Sequence, residues 1–293
     1  MSVSDPAPHD PFAWWRATST LGRARRNLLL ALVVLAAAAW AFTLYESLGK
    51  GAPIGDALRA GMPAHEMAGM ERMEGMEGMA MGGMSVAGWS LAAALVFVAV
   101  WTVMMAAMML PAAAPMIVTF ASAQARRDRA AAVPTWIFVA GYLLVWAAAG
   151  AVVYAVVQVA SDASDYFGAV DRSRWGPLVL ALTLVGAGLY QFTLLKHICL
   201  RHCRSPLAFV ALHWREGPLG ALRMGMSHGA YCLGCCWALF AILVVAGIMS
   251  VAWMLLLTLV VFAEKMLPHG QRVSTIIGLV LIALGLVMVG SIV

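Results

Sequence analysis

Seven long apolar runs dominate this 293-residue chain and leave it few ways to fold. They are Leu28–Tyr45, Trp89–Leu110, Thr135–Ala160, Gly176–Leu195, Ser227–Gly247, Val251–Glu264 and Val273–Val293. A helix crosses the hydrocarbon core of a bilayer with about 20 such residues. Only 11% of the residues are charged, against about 25% in a soluble domain, too few to cover a water-facing surface. No strand-period alternation punctuated by turns appears, which argues against a β-barrel. The expected fold is all-α: a polytopic transmembrane helix bundle of about seven helices.

Loop charges predict the orientation, since Lys and Arg are retained on the cytoplasmic side. With the N-terminus inside, the inner segments hold 14 of the 19 basic residues: Arg16, Arg23, Arg25, Arg26, Arg126, Arg127, Arg129, Lys196, Arg201, Arg204, Arg215, Arg223, Lys265 and Arg272. The outer segments hold Glu66, Glu71, Glu74, Glu77, Asp162, Asp165 and Asp171. The net charge of +5 therefore sets topology and is no nucleic-acid signal. The first run has no small-residue cleavage site after it and reads as a retained helix. The chain divides into a cytoplasmic segment 1–27, a first transmembrane helix 28–46, an outer loop 47–88 and a six-helix membrane domain 89–293.

The outer loop contains MPAHEMAGMERMEGMEGMAMGGM over residues 62–84. Met67, Met70, Met73, Met76 and Met79 recur every third residue, with Met62, Met81, Met84 and His65 around them. A thioether is neutral, soft and polarisable, needs no deprotonation, and selects Cu(I) or another soft ion over Zn(II). Rich in Gly and Glu, the segment has no other large apolar residue and cannot build a core. Capture of a soft metal ion explains it better than a low-complexity linker does.

All five cysteines fall between residues 199 and 236, an odd and clustered set better suited to metal or redox chemistry than to a disulfide framework. Cys199, His202 and Cys203 stand at i, i+3 and i+4 in LLKHICLRHCRSP, on one face if the fourth helix continues that far. Cys232, Cys235 and Cys236 repeat the spacing in MSHGAYCLGCCWALF, with His228 one turn earlier. Both stripes are expected at the cytoplasmic ends of their helices. There Met105 and Met109, or Met104 and Met108, at the end of WTVMMAAMMLP would add thioethers. Each element alone has a packing explanation. Polar and ionisable groups at membrane depth are costly, and together they point to function. Glu264, Lys265 and His269 lie nearby in AEKMLPHG, where Glu264 and Lys265 are expected to pair or to snorkel.

These stretches resemble a bacterial family of uncharacterised integral membrane proteins described as predicted metal-binding. The likeness runs from about Trp89 to the C-terminus through WTVMMAAMMLP with Pro115, YQFTLLKHICLRHCRSPL, HWREGPLGALRMGMSHGAYCLGCCWALF, GIMSVAWM and EKMLPHG, with YCLGCCW the most specific block. It implies metal binding at Cys199, Cys203, Cys232, Cys235 and Cys236 and names no substrate. The chain departs from the family pattern at Thr193 or Leu194, where Pro is frequent.

The expected function is Cu(I) handling in a bacterial inner membrane, as uptake, export or delivery. The partners would be the lipid bilayer, the metal ion, and a cuproprotein or metallochaperone. The chain has no GxxxxGK[ST] loop and no DKTG sequence, so transport would be passive or ion-coupled. Two alternatives stay open. One is a thiol–disulfide oxidoreductase using the Cys232-x-x-Cys235 pair, with Lys196, Arg201 and Arg204 lowering a thiol pKa near Cys199 or Cys203. The other is a structural or assembly subunit stapled by a metal.

Overall fold

The computed structural model describes residues 23–47, 89–127, 132–166, 172–247 and 250–292. Among the described residues there are nine helices and no strand: α1 (Arg23–Ser47), α2 (Leu91–Arg127), α3 (Ala132–Tyr166), α4 (Arg172–Tyr190), α5 (Leu194–Arg204), α6 (Pro206–His213), α7 (Gly217–Ala246), α8 (Val251–Met266) and α9 (Gly270–Ile292). Five of them (α1, α2, α3, α7 and α9) are long and apolar enough to cross a membrane, and the bent pair α4–α5 makes a sixth span if counted as one. Their outer faces expose large aliphatic side chains such as Val33 and Val34 on α1, Val152 and Val156 on α3, and Leu286 and Val287 on α9. Lipid tails, not water, suit such a surface.

Several helix bounds differ from the sequence expectation, and each difference moves a candidate residue. The second apolar run does not stop before Pro111. α2 continues through Pro111 and Pro115 for 37 residues, about 55 Å at the α-helical rise. Neighbouring helices make proline tolerable within a membrane span. The four methionines Met104, Met105, Met108 and Met109 therefore lie at the middle of a helix, not at its end. Similarly, α7 starts ten residues before Ser227, at Gly217–Pro218, where Pro occupies the first turn and its missing N–H costs nothing. His228, Cys232, Cys235 and Cys236 thereby fall mid-helix instead of at a cytoplasmic end.

The fourth helix does not run on into the first cysteine motif. It ends at Tyr190, and α5 departs at 67°. Thr193 is the N-cap of α5, its side chain accepting a hydrogen bond from the Lys196 N–H at 3.3 Å. The stretch between Lys196 and Met226 is mostly helical and contains most of α5, all of α6 and the start of α7. The sixth run forms α8, whose 16 residues span about 24 Å, short of a hydrocarbon core of about 30 Å.

α3 and α7 form the most extensive pair, and α3 also packs on α2. Helices in lipid gain little from hiding apolar surface from one another, so close van der Waals approach between small residues holds such pairs together. A Cβ on Gly225 would run into the Phe138 carbonyl, and one on Gly141 into the Leu222 carbonyl. The α3–α7 interface thus admits only hydrogen at these two positions. On the far side of α7, α5 and α4 pack against it, and α9 packs along α4. α8 contacts α2, α5, α7 and α9.

Replacing Gly225 with Leu should force α3 and α7 apart and destabilise the bundle by about 1–3 kcal/mol, the usual cost of overpacking. Thermal unfolding of the detergent-solubilised protein would register a lowered midpoint. An unchanged midpoint would mean that the helices are not in backbone contact there.

Candidate metal centre

α7 presents Cys232, Cys235 and Cys236 at i, i+3 and i+4, all less than 2% exposed. Their sulfurs begin as free thiols, as do those of Cys199 and Cys203. The helix backbone takes up two of them: the Cys235 and Cys236 thiols both lie on the Cys232 carbonyl, at 3.1 and 2.8 Å. α5 crosses this face because of the turn after Tyr190. It brings the half-buried Cys203 sulfur to 4.0 Å from that of Cys235. A disulfide would need about 2.05 Å. Two thiolates sharing one ion through bonds of about 2.3 Å sit about 3.8 Å apart at a tetrahedral angle and about 4.6 Å apart when opposed. The observed separation lies inside that interval.

Two polar side chains from other helices converge on Cys232. Lys265 of α8 donates from Nζ to its sulfur at 2.9 Å, and the Tyr142 hydroxyl of α3 lies 3.1 Å from it. Lys265 is buried, so it does not snorkel, and its partner is sulfur instead of Glu264. The contact places a cationic donor directly on a sulfur of the cluster. Neither Lys265 nor Tyr142 stood out in the sequence as a partner of the cysteines. A Glu–Lys pair closing an apolar run was the available signal for the first, and there was none for the tyrosine.

His228 lies one turn before Cys232 and is 2% exposed. Its ring is packed against Tyr142 and Phe138, and its Nδ1 has no hydrogen-bond partner. Burying a nitrogen without a partner costs free energy, so this one stands out beside the thiols. Cys199 belongs to the edge of the site: its sulfur packs over Gly234, where a Cβ would stand only 2.7 Å away.

His202 does not join Cys199 and Cys203. Its ring stacks flat on Tyr231 of α7 at 4.2 Å, and its Nδ1 is hydrogen-bonded to the Ile198 carbonyl at 2.9 Å. Met104, Met105, Met108 and Met109 are all buried in the same apolar core as the cysteines. α2 and α7 do not form a packed pair, however, and α3 is the helix that packs against both. The loop methionines Met67, Met70, Met73, Met76 and Met79 lie outside the described residues. Among the described residues, no three His, Cys, Asp or Glu side chains are gathered as a ready-made metal cage. What the centre offers is a pair of sulfurs, a third sulfur held by a lysine, and a nearby unpartnered imidazole.

A second buried cation flanks the centre. Lys196 of α5 makes a 2.7 Å ion pair with Glu264, both 1% exposed. Arg204, at the other end of α5, donates to the carbonyls of Glu264 (2.6 Å), Leu267 (2.6 Å) and Pro268 (2.8 Å). The Glu264 carbonyl belongs to the last turn of α8, which lacks intrahelical partners, and the other two lie at and just past its C-cap. The adjacent residues Glu264 and Lys265 thus tie α8 to two different helices, α5 and α7, and do not pair with each other.

The family model described as PpoB2, copper chaperone, matches residues 98–288, well over half of the chain and all of the helices that build this centre. No curated protein and no solved structure matches the chain.

Lys196→Met should leave Glu264 as an uncompensated buried carboxylate and cost about 3–5 kcal/mol. The double replacement Lys196→Met/Glu264→Leu should recover much of that loss, because a buried pair of similar-volume apolar residues is often as stable as the ions. Unfolding midpoints of the two variants test this. A double variant no better than the single one would contradict it.

Proposed function

Because the chain belongs to the PpoB2 copper-chaperone family, we propose that it holds Cu(I) at the thiol centre between α5 and α7 and passes it on from there. The observation that carries this reading is the 4.0 Å approach of Cys203 to Cys235 across two helices. Thiolates are soft ligands that select Cu(I), and Cu(I) accepts as few as two of them. Cys232 is the third sulfur, and His228 supplies the nearest uncommitted nitrogen. Lys265 serves as the counter-cation: two thiolates and one Cu(I) carry a net negative charge, which an ammonium in contact with the cluster balances at membrane depth. Copper is the cargo, and bond exchange between sulfurs moves it with no change of oxidation state.

Residues 62–84 would act earlier on the route. Their regularly spaced thioethers collect Cu(I) at the membrane surface without the deprotonation that thiols require. With the N-terminus inside a bacterial cytoplasmic membrane, as the basic loops favour, that segment faces outward and the chain delivers copper to a cuproprotein or metallochaperone. The mid-span Met105 and Met109 are the thioethers along α2 that would serve an ion in transit.

Anaerobic metal analysis of the purified protein after Cu(I) loading tests the reading. The intact chain should retain tightly bound copper. A chain lacking residues 62–84 should retain the tight fraction and lose weaker copper. Cys203→Ser/Cys235→Ser should lose the tight fraction. Lys265→Met should weaken it by about tenfold to a hundredfold, in line with about 1.5–3 kcal/mol for a hydrogen bond to a charged group. Tight copper absent from the intact chain, with the cysteines instead cycling between dithiol and disulfide, would replace this reading with an oxidoreductase.

A further inference from the structure

Beside the thiol centre lies a second constellation that neither the cysteine pattern nor the family description includes. His202 of α5, His213 of α6 and Tyr231 of α7 meet with part of each side chain exposed. The two imidazole centroids are 6.2 Å apart with the rings nearly perpendicular. Aromatic plates hold both rings: His202 lies on Tyr231 at 4.2 Å, and His213 lies on Phe209 at 4.7 Å. Each Nδ1 is fixed by the carbonyl one turn back, Ile198 at 2.9 Å and Phe209 at 3.2 Å. A carbonyl only accepts, so each Nδ1 carries the hydrogen and each Nε2 keeps a free lone pair. A hydrogen bond from one ring nitrogen to a carbonyl sets the tautomer and orientation in metal-ligating histidines.

The 6.2 Å centroid separation is compatible with ligation of one ion by both rings. Two imidazoles opposed across one ion, with metal–nitrogen bonds of about 2.1 Å, have centroids about 6.4 Å apart. Rings linked in this way are free to be mutually perpendicular. The pair also adjoins the thiol centre at the level of sequence neighbours, for His202 precedes Cys203 and Tyr231 precedes Cys232. On α5 the imidazole and the sulfur point into adjoining clusters, the first partly exposed and the second against buried Cys235.

We propose that His202 and His213 form an outer Cu(I) site, ligating through Nε2, from which the ion moves to Cys203. The inference rests on the copper reading above and adds a distinct ligand pair to it. In the transfer the two Cu–N bonds are exchanged one after the other for Cu–S bonds to Cys203 and then Cys235, each thiol passing its proton to the Nε2 of the imidazole it displaces, and copper stays Cu(I). Imidazoles bind less tightly than thiolates, so exchange runs inward for loading. It runs outward when a stronger acceptor takes the ion at the exposed end. His213 had no metal-ligand spacing to any cysteine in sequence; the α5–α6 turn at Ser205–Pro206 creates the proximity.

Two measurements on the full-length chain test this. In the Cys203→Ser/Cys232→Ser/Cys235→Ser/Cys236→Ser variant loaded with Cu(I), copper-edge X-ray absorption should show nitrogen scattering. Adding His202→Phe/His213→Phe, which keeps the aromatic stacking, should abolish it. Sulfur-only scattering before the histidines are changed would overturn the site. If the serine variant does not fold, His202→Phe/His213→Phe in the cysteine-intact chain decides. The tightly bound copper at its cysteines should be unchanged, while stopped-flow loading of those cysteines slows about tenfold or more through loss of an intramolecular step. Unchanged loading kinetics would overturn the proposal. If the intact chain fails to place copper on its cysteines while the serine variant still shows nitrogen scattering, the thiol-centre reading falls and the histidine site stands.

Discussion

The backbone contact between α3 and α7 governs where everything else in the centre lies. With lipid on the outside, apolar side chains gain nothing by choosing a neighbouring helix over a lipid tail, so intimate packing must supply the association. Gly141 and Gly225 allow the two backbones to touch, and Gly229 continues the same seam against Tyr142 and Val145. That closeness brings the Tyr142 hydroxyl onto the Cys232 sulfur and presses the His228 ring against Phe138 and Tyr142. A looser interface would leave room for lipid or water beside Cys232, and the thiol would lose the low-dielectric surroundings that make its lysine contact strong.

The second constraint is charge. Lys196, Lys265 and Glu264 are each less than 8% exposed. Unpaired, each would cost several kcal/mol, on the order of the stability of the whole domain. The fold answers with the break at Gln191–Thr193. A straight α4–α5 helix would carry Lys196 onward along the α4 axis, whereas the 67° bend turns it onto Glu264 of α8. Gln191 at the bend is itself held by Ser274 of α9 at 2.9 Å. The same turn sends Cys203 across α7 and lets Arg204 clamp the end of α8. The site is therefore a consequence of neutralising buried charge as much as of the cysteine pattern. α8, too short to span alone, is held in place by those charges.

How far the sequence discloses this can be followed residue by residue. The helical class and the one-face stripe of Cys232, Cys235 and Cys236 were legible, because run length and the i, i+3, i+4 spacing are local properties. Helix ends were less so. Pro111 looked like a stop, since in water proline ends a helix, but a membrane span tolerates it. Pro218 marked the true start of α7, yet Arg223 so close to it suggested a polar loop. Thr193 is a good N-cap inside an apolar run, a sign of a new helix that the hydropathy of the run concealed. Cross-helix partners were not legible at all. Glu264 and Lys265 are adjacent in the chain and suggested a pair, and only the three-dimensional arrangement sends one to Lys196 and the other to Cys232. His202 was grouped with Cys203 by spacing on α5, although its ring belongs with Tyr231 and His213.

A structural metal site closes all of its coordination positions with protein ligands, which holds the ion and fixes the fold. A carrier needs the opposite: few ligands, and at least one that an incoming group can reach. Under the proposed function the α5–α7 centre follows the second pattern. Cys232, Cys235 and Cys236 are sealed, two of them spending their thiols on a backbone carbonyl, while Cys203 is only half-buried and sits on a short helix. The Cys203 half of the site lies on α5, beyond the Gln191–Thr193 bend, and the Cys235 half lies on α7, beside the glycine seam with α3. On the proposed reading, ligands split between two helices let a soft ion be held and then released to the next thiol by ligand exchange.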